Sequence, residues 1–199
     1  MQNSIYEKFG KRIFDFVSAF LGLLFLLPLL VLVALIIKVS SKGDVFYVQS
    51  RIGKSFKPFN LYKFRSMKEA KGLSITSKDD PRITSIGKFI RKTKIDELPQ
   101  LLNVIKGEMS LVGPRPEVEK YVYIQEEAYR DILKVKPGIT DLAAIEFRDE
   151  EEVLSQYEDK EEAYIKEIQP KKIALYNQYL KMISLQGDVK IILQTLKVI

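Results

Sequence analysis

Hydrophobic residues along this chain fall into three regimes. Phe16 to Ile37 is a block of 22 residues without a charge, FVSAFLGLLFLLPLLVLVALII. As a helix such a block covers about 33 Å at 1.5 Å per residue, enough to match the hydrocarbon core of a bilayer. Short runs rich in aromatic and β-branched residues follow, Val45–Gln49 and Pro58–Phe64. With Gly53 and Lys54 between them as a turn, they predict a β-hairpin. The remainder has helical spacing. Ile86, Phe89 and Ile90, interleaved with Lys88, Arg91 and Lys92, predict an amphipathic helix over Thr84–Thr93. Leu98, Leu101, Leu102 and Ile105 predict a second helix, which starts near Asp96 because Pro99 is tolerated only in a first turn. Asp96 is then an N-cap or first-turn residue, and Gly107 closes the helix as a left-handed cap. Val118–Val135 reads as a helix ended by Pro137-Gly138, and Glu146–Gln169 as an acidic helical stretch. Lys171–Leu185 and the segment from Gly187 onward read as the last two helices, and polar Lys68–Asp80 as a loop. The expected fold class is α+β, mostly helical, with a short hairpin and amphipathic surface helices.

The apolar block belongs in lipid. It is too long for a signal peptide, and no small-residue cleavage site follows it. Lys8, Lys11 and Arg12 precede it and Lys38 and Lys42 follow it, so both flanks carry the positive charge typical of a cytoplasmic side. Pro28, near the middle, removes a backbone hydrogen bond and can kink the helix enough for it to re-enter the leaflet it left. A break inside lipid leaves polar backbone groups to be satisfied, a cost that a plain span avoids. The segment alone is compatible with either topology. Lys11, Arg12 and Asp15 read as an amphipathic entry at the interface.

Composition then narrows the chemistry. The chain has no His and no Cys, which removes the imidazole base, the thiol nucleophile and the usual zinc ligands together. Any catalysis rests on Asp, Glu, Lys, Tyr, Ser or Thr, and any metal is a hard cation such as magnesium held by carboxylates. The net charge of +6 is unevenly spread: Asp149–Glu162 holds eight acids against Lys160, so the rest of the chain is strongly cationic. A cationic body suits nucleic acid, an anionic leaflet or anionic small molecules, and composition does not choose among them. No Gly-rich nucleotide fingerprint, nucleic-acid recognition motif or internal repeat accompanies it, so nucleic acid is not an expected partner.

The candidate site is Lys94–Glu117, KIDELPQLLNVIKGEMSLVGPRPE. Asp96 and Glu97 stand at a helix start, whose field favours an ionised carboxylate and also attracts a phosphate or a metal–phosphate pair. Arg115 follows in a Pro/Gly frame. Lys63 and Arg65 alternate along the second hairpin arm and are expected on one face, where a basic pair near the membrane could hold a diphosphate. Arg91 lies five residues before Asp96. Each also has an ordinary reading: Asp96 as a helix cap, Arg115 as a turn residue, Lys63 and Arg65 as solvated charges, and Arg91 as a surface charge resting at headgroups.

Four segments occur in one order: Lys11 to Lys38 with Pro28 inside, Tyr62-Lys63-Phe64-Arg65-Ser66-Met67, Ile95-Asp96-Glu97-Leu98-Pro99-Gln100, and Leu111-Val112-Gly113-Pro114-Arg115-Pro116 followed by Pro137-Gly138-Ile139-Thr140. Together they resemble the bacterial sugar transferase family, the monotopic phosphoglycosyl transferases that begin polyisoprenyl-linked glycan assembly. The resemblance implies a re-entrant membrane helix broken at Pro28 and a small cytosolic catalytic domain on the cytoplasmic face of the bacterial inner membrane. It implies transfer of a sugar-1-phosphate from a UDP-sugar to undecaprenyl phosphate with release of UMP. Carried over by motif, Asp96 is the nucleophile and a magnesium (Mg2+) ligand, and Glu97 is the base or a metal and proton partner. Arg115 grips the diphosphate, with Lys63 and Arg91 as secondary phosphate contacts, while Arg65 is a substrate-binding candidate only through its place beside Lys63 on the strand. Residues 1–42 would be the membrane helix, 43–148 the catalytic core and 149–199 a C-terminal helical extension, a minimal catalytic unit. Two departures stand out. Leu27-Pro28 replaces a common Ser-Pro pair, and Asp141–Arg148 replaces a Gly-Trp-Ala-Gln-Val type sequence, so contacts from that region are not transferred. The competing expectation is a non-catalytic membrane-surface scaffold for glycan-assembly enzymes, in which Asp96 is only a cap. The sugar is not identified, and a homo-oligomer is left open by C-terminal helices that could pair or lie on the bilayer.

Overall fold

The computed structural model describes residues 5–68 and 80–198. Most of the predicted 68–80 loop therefore lies outside the described residues. A π-helical turn, Tyr6–Gly10, leads into α1, Lys11–Ser40. Pro28 sits inside α1, and the helix is not divided there. The proline forfeits its own amide hydrogen bond, while the leucine-rich flanks, good helix formers, carry the helix past it on both sides. One face of α1 lies against the rest of the protein through buried Ala19, Leu30, Val33 and Ile37. The others remain apolar and exposed, with Phe25 at 84% and Leu24 at 62%.

Both ends of α1 bond to the same body. At the start, Arg12 donates to the carbonyls of Val104 and Ile105 at 2.6 and 2.8 Å. At the finish, Arg65 donates to the Ser41 carbonyl at 2.9 Å. Both arginines place positive charge at the C-terminal end of a helix, Gln100–Lys106 in the first case and α1 in the second.

The hairpin forms as expected and is longer on its first arm: β1 (Phe46–Ile52) pairs antiparallel with β2 (Pro58–Phe64), Tyr47 opposite Lys63. Then come α2 (Ser85–Lys92), a 3-10 turn (Ile95–Glu97) and α3 (Gln100–Lys106). Gly107, at φ 86°, ends α3 in the left-handed conformation expected of it. A second sheet, absent from the sequence pattern, joins β3 (Ser110–Val112) and β4 (Gly138–Thr140) in parallel. It puts the two Gly-Pro motifs back to back. A Cβ on Gly138 would lie 2.1 Å from the Gly113 nitrogen, so the two backbones approach only as glycine.

The predicted 118–135 helix is two helices, α4 (Glu119–Ile124) and α5 (Glu126–Ile132), parted at Gln125, where φ and ψ of −120° and 36° leave the helical region. After α6 (Leu142–Glu146), the acidic stretch Glu146–Gln169 likewise splits, into α7 (Glu150–Ser155), α8 (Lys160–Ala163) and a π-helical turn, Tyr164–Ile168. The side chain of Asp141 caps α6, and within the acidic stretch that of Asp159 caps α8 and so starts a new helix there. Finally α9 (Gln169–Lys181) and α10 (Leu185–Val198) pack inward: Tyr176 meets Ile52, Val122 and Tyr129, while Tyr179 and Ile191 meet Val112.

Candidate active site

Asp96 occupies the tight turn between α2 and α3, which Lys94 enters in a left-handed conformation at φ 55°. It is not the cap of α3. Pro99 holds that position without a side-chain bond, so the capping reading of Asp96 finds no support. Only 5% of Asp96 is exposed, and its Oδ1 has no hydrogen-bond partner. Burial raises its carboxyl above the usual range; Lys63, Arg91 and Lys94 oppose that rise, and the charge of Glu97 adds to it. A buried carboxylate oxygen left unbonded is rare in a folded protein and marks a place for a ligand or ion.

Glu97, next in the chain, is fully engaged. Lys63 reaches its Oε1 at 2.8 Å from β2, and Arg115 reaches the same oxygen at 2.5 Å from the loop after β3. A second Arg115 nitrogen lies 3.3 Å from Oε2, completing a forked pair. Burial works against the charge on Glu97, but Arg115 and Lys63 outweigh it and hold the carboxyl well below its usual range. Glu97 in turn raises the Arg115 guanidinium well above its usual value. Burial pulls the Lys63 ammonium down despite Glu97. A carboxylate so strongly paired is a poor proton acceptor; its effect is to fix two cations beside Asp96.

The remaining candidates divide. Arg91, from α2, donates to Ser66 Oγ at 3.4 Å and forms an ion pair with Glu151 of α7, and its charge acts on Asp96. Arg65 is not bonded into this cluster. The strand ends at Phe64, and the Arg65 guanidinium turns to Ser41, where it closes α1. Asp141 was not anticipated. It is 1% exposed, accepts the Ala144 N–H at 2.8 Å and leaves Oδ2 without a partner. Burial pushes its carboxyl up to about 6, and Arg115 is among the charges that oppose the shift. The signal for it in the sequence was a capping aspartate ahead of a helical run, which reads as local structure alone.

Among the described residues no cluster of three or more acidic side chains is available to cage a metal. Magnesium does not require one, since it commonly keeps waters and takes one or two carboxylates plus substrate phosphates. The unbonded Asp96 oxygen fits that demand. Asp96 with Lys63 and Arg91, whose charges act on it, and with Arg115 held by neighbouring Glu97 therefore combines one available anion with three cations, an arrangement suited to phosphoryl chemistry, where positioning and charge neutralisation dominate.

The pattern of the bacterial sugar transferase family matches residues 6–199. The chain is 39% identical to an undecaprenyl-phosphate glucose phosphotransferase of Komagataeibacter xylinus, over 98% of this chain and 36% of that protein. It is 38% identical to the UDP-glucose:undecaprenyl-phosphate glucose-1-phosphate transferase of Escherichia coli (strain K12), over 93% of this chain and 39% of that one. A UDP-N-acetylgalactosamine-undecaprenyl-phosphate N-acetylgalactosaminephosphotransferase of Aeromonas hydrophila is also 38% identical, over 96% and 44%. The chain thus spans well under half the length of each of these relatives.

Proposed function

This chain belongs to the bacterial sugar transferase family, and from that premise we propose that it transfers a sugar-1-phosphate from a UDP-sugar to undecaprenyl phosphate, releasing UMP, as the first membrane step of glycan assembly. The observation that carries the reading is the buried, unpartnered Asp96 oxygen, on which the charges of Lys63, Arg91 and Lys94 act.

In the first half-reaction a carboxylate oxygen of Asp96 attacks the sugar-linked phosphorus. The bond from that phosphorus to the bridging oxygen breaks and UMP departs, leaving the sugar phosphate on Asp96. In the second, an oxygen of undecaprenyl phosphate attacks the same phosphorus and returns the carboxylate, giving undecaprenyl diphosphate-sugar. Arg115 and Lys63, set by Glu97, bind the diphosphate oxygens, and Arg91 offsets charge at the attacked phosphoryl group. Magnesium, when bound by Asp96 and substrate phosphates, supplies further positive charge that lets two anions approach.

The same-side attachment of both ends of α1 supports the re-entrant reading. A straight span with one body bonded at its two ends would draw that body's polar groups across the lipid, so this attachment argues against a span, while the break at Pro28 that a return course needs is not seen in the undivided α1. A membrane-bound acceptor gives such tethering a purpose, since it raises the effective concentration of the two reactants.

The test is release of UMP from UDP-sugar with magnesium and undecaprenyl phosphate, by the wild type and by Asp96→Asn. Loss of UMP in the variant, with a phosphosugar trapped on Asp96 in the wild type, is expected. A variant that still releases UMP would overturn Asp96 as the nucleophile, a wild type that releases none would favour the scaffold reading, and UDP as product would mean ordinary glycosyl transfer.

A further inference from the structure

Glu151 has no part in the two half-reactions, yet it is bonded to a residue that has. Arg91 crosses from α2 to pair with Glu151 of α7, 60 residues away in sequence. The Arg91 side chain is 20% exposed and that of Glu151 is 43% exposed. The second terminal nitrogen of Arg91 donates to Ser66 Oγ at 3.4 Å and approaches Met67 Sδ at 3.8 Å. Both terminal nitrogens are thus occupied, while the Nε is buried and unpartnered.

The charge of Arg91 acts on Asp96, whose Oδ1 is also buried and unpartnered. Arg91 lies in the last turn of α2, just ahead of the 3-10 turn that carries Asp96, and a guanidinium able to turn to a bare carboxylate forms a charge-assisted hydrogen bond with it. That bond would occupy the lone pair needed for attack and close the position open to a cation or phosphoryl group. Glu151 offers Arg91 a competing anion on a different element.

We infer that Glu151 is a positioning residue: it holds the Arg91 guanidinium off the Asp96 carboxylate, leaving Asp96 free to attack and the Arg91 Nε–H free to meet a phosphoryl oxygen. The role rests on the reaction proposed above. It also gives the segment after Thr140, which departs from the common family pattern, a definite link to the reacting centre.

The experiment is UMP-release kinetics for the wild type, Glu151→Ala, Glu151→Gln, Arg91→Ala and the double variant with both alanines. Glu151→Ala is expected to lower kcat about tenfold and to leave KM for the UDP-sugar within about twofold, within the range of coupling between contacting residues. Glu151→Gln keeps an acceptor oxygen and should recover most of that loss. In the Arg91→Ala background, adding Glu151→Ala should cost nothing further, because no guanidinium remains to be restrained. Wild-type kcat in Glu151→Ala, a lower KM in that variant, or a loss that persists without Arg91 would each overturn the role. So would a fall in melting temperature that accounts for the lost kcat. Failure of the wild type to release UMP would overturn the reaction and this role with it, whereas normal release untouched by Glu151→Ala would overturn the role alone.

Discussion

Asp188, in the first turn of α10, and Asp96, ahead of α3, are both buried, at 0% and 5% exposure, and they differ in what surrounds their oxygens. Asp188 Oδ2 accepts from the Tyr6 hydroxyl at 2.7 Å and the Lys11 ammonium at 2.6 Å, and its Oδ1 accepts from Tyr179 at 2.9 Å. Lys11 donates in turn to the Val112 carbonyl at 2.9 Å, and the Tyr179 hydroxyl, whose one proton is shared between Asp188 and Val112, lies 3.0 Å from the same carbonyl, so the cluster ties α1, β3, α9 and α10 together. Both oxygens are satisfied by the protein, and nothing remains for a ligand. Asp96 bears the cost of desolvation and leaves Oδ1 empty-handed. Saturation separates a structural acid from one kept available for chemistry, and the contrast can be broken at four points.

The largest effect is expected at Asp96. Asp96→Asn should reduce UMP release by a factor of about 1,000 or more, as removal of a covalent nucleophile does. Its melting temperature at neutral pH should hold or rise, because burial already disfavours the charge that the amide removes. A variant that loses activity only in proportion to a loss of fold would place Asp96 with Asp188 instead. Asp188→Ala is the mirror image. It leaves the Lys11 ammonium and two tyrosine hydroxyls without their acceptor, which should destabilise the protein by about 3 kcal/mol in chemical unfolding, the range for breaking a buried pair. Turnover per folded molecule should fall far less than in Asp96→Asn.

The contrast also explains what the sequence could and could not reveal. Asp96, Glu97, Arg115 and Lys63 were found because their motifs are short and local, and the hairpin and the Gly107 cap because turn chemistry is local as well. The β3–β4 pair was missed: three residues per strand carry no periodicity, and its parallel register depends on two glycines far apart in sequence. The split at Gln125 was missed because Val118–Val135 keeps helical spacing across it. Arg65 was assigned to the site by alternation alone, which cannot register that Ser41, at the end of α1, takes its guanidinium. Glu151 and Asp188 lay in stretches read as acidic or helical, and only tertiary contact gives each its partner.

Glu97 tests whether saturation next to the reacting centre behaves like saturation far from it. Glu97→Gln keeps the shape and removes the charge that holds Lys63 and Arg115, both then buried near each other without an anion. UMP release should fall by about 100-fold, comparable to the loss of a charge-stabilising group, with KM for the UDP-sugar rising as Arg115 loses its orientation. An unchanged KM together with a shifted acid limb in the pH profile would instead identify Glu97 as a proton acceptor.

Asp141 is the intermediate case, one oxygen bonded to the Ala144 N–H and the other bare. Its carboxyl is raised from 3.8 to about 6 by burial, so the folded state favours the neutral form. The sign follows from that direction: the contribution to stability is fully present below pH 3.8 and is lost as pH rises through about 6. At 1.36 kcal/mol per unit, the wild type should forfeit about 2–3 kcal/mol across that window. Asp141→Asn retains an oxygen for the Ala144 N–H and carries no charge to desolvate. Unfolding free energies measured from pH 4 to 8 should therefore coincide for the two proteins at the acid end and separate upward in favour of the variant. Parallel curves would mean that Arg115 or a bound ligand satisfies the second oxygen, and that Asp141 belongs with Asp188 as a saturated acid.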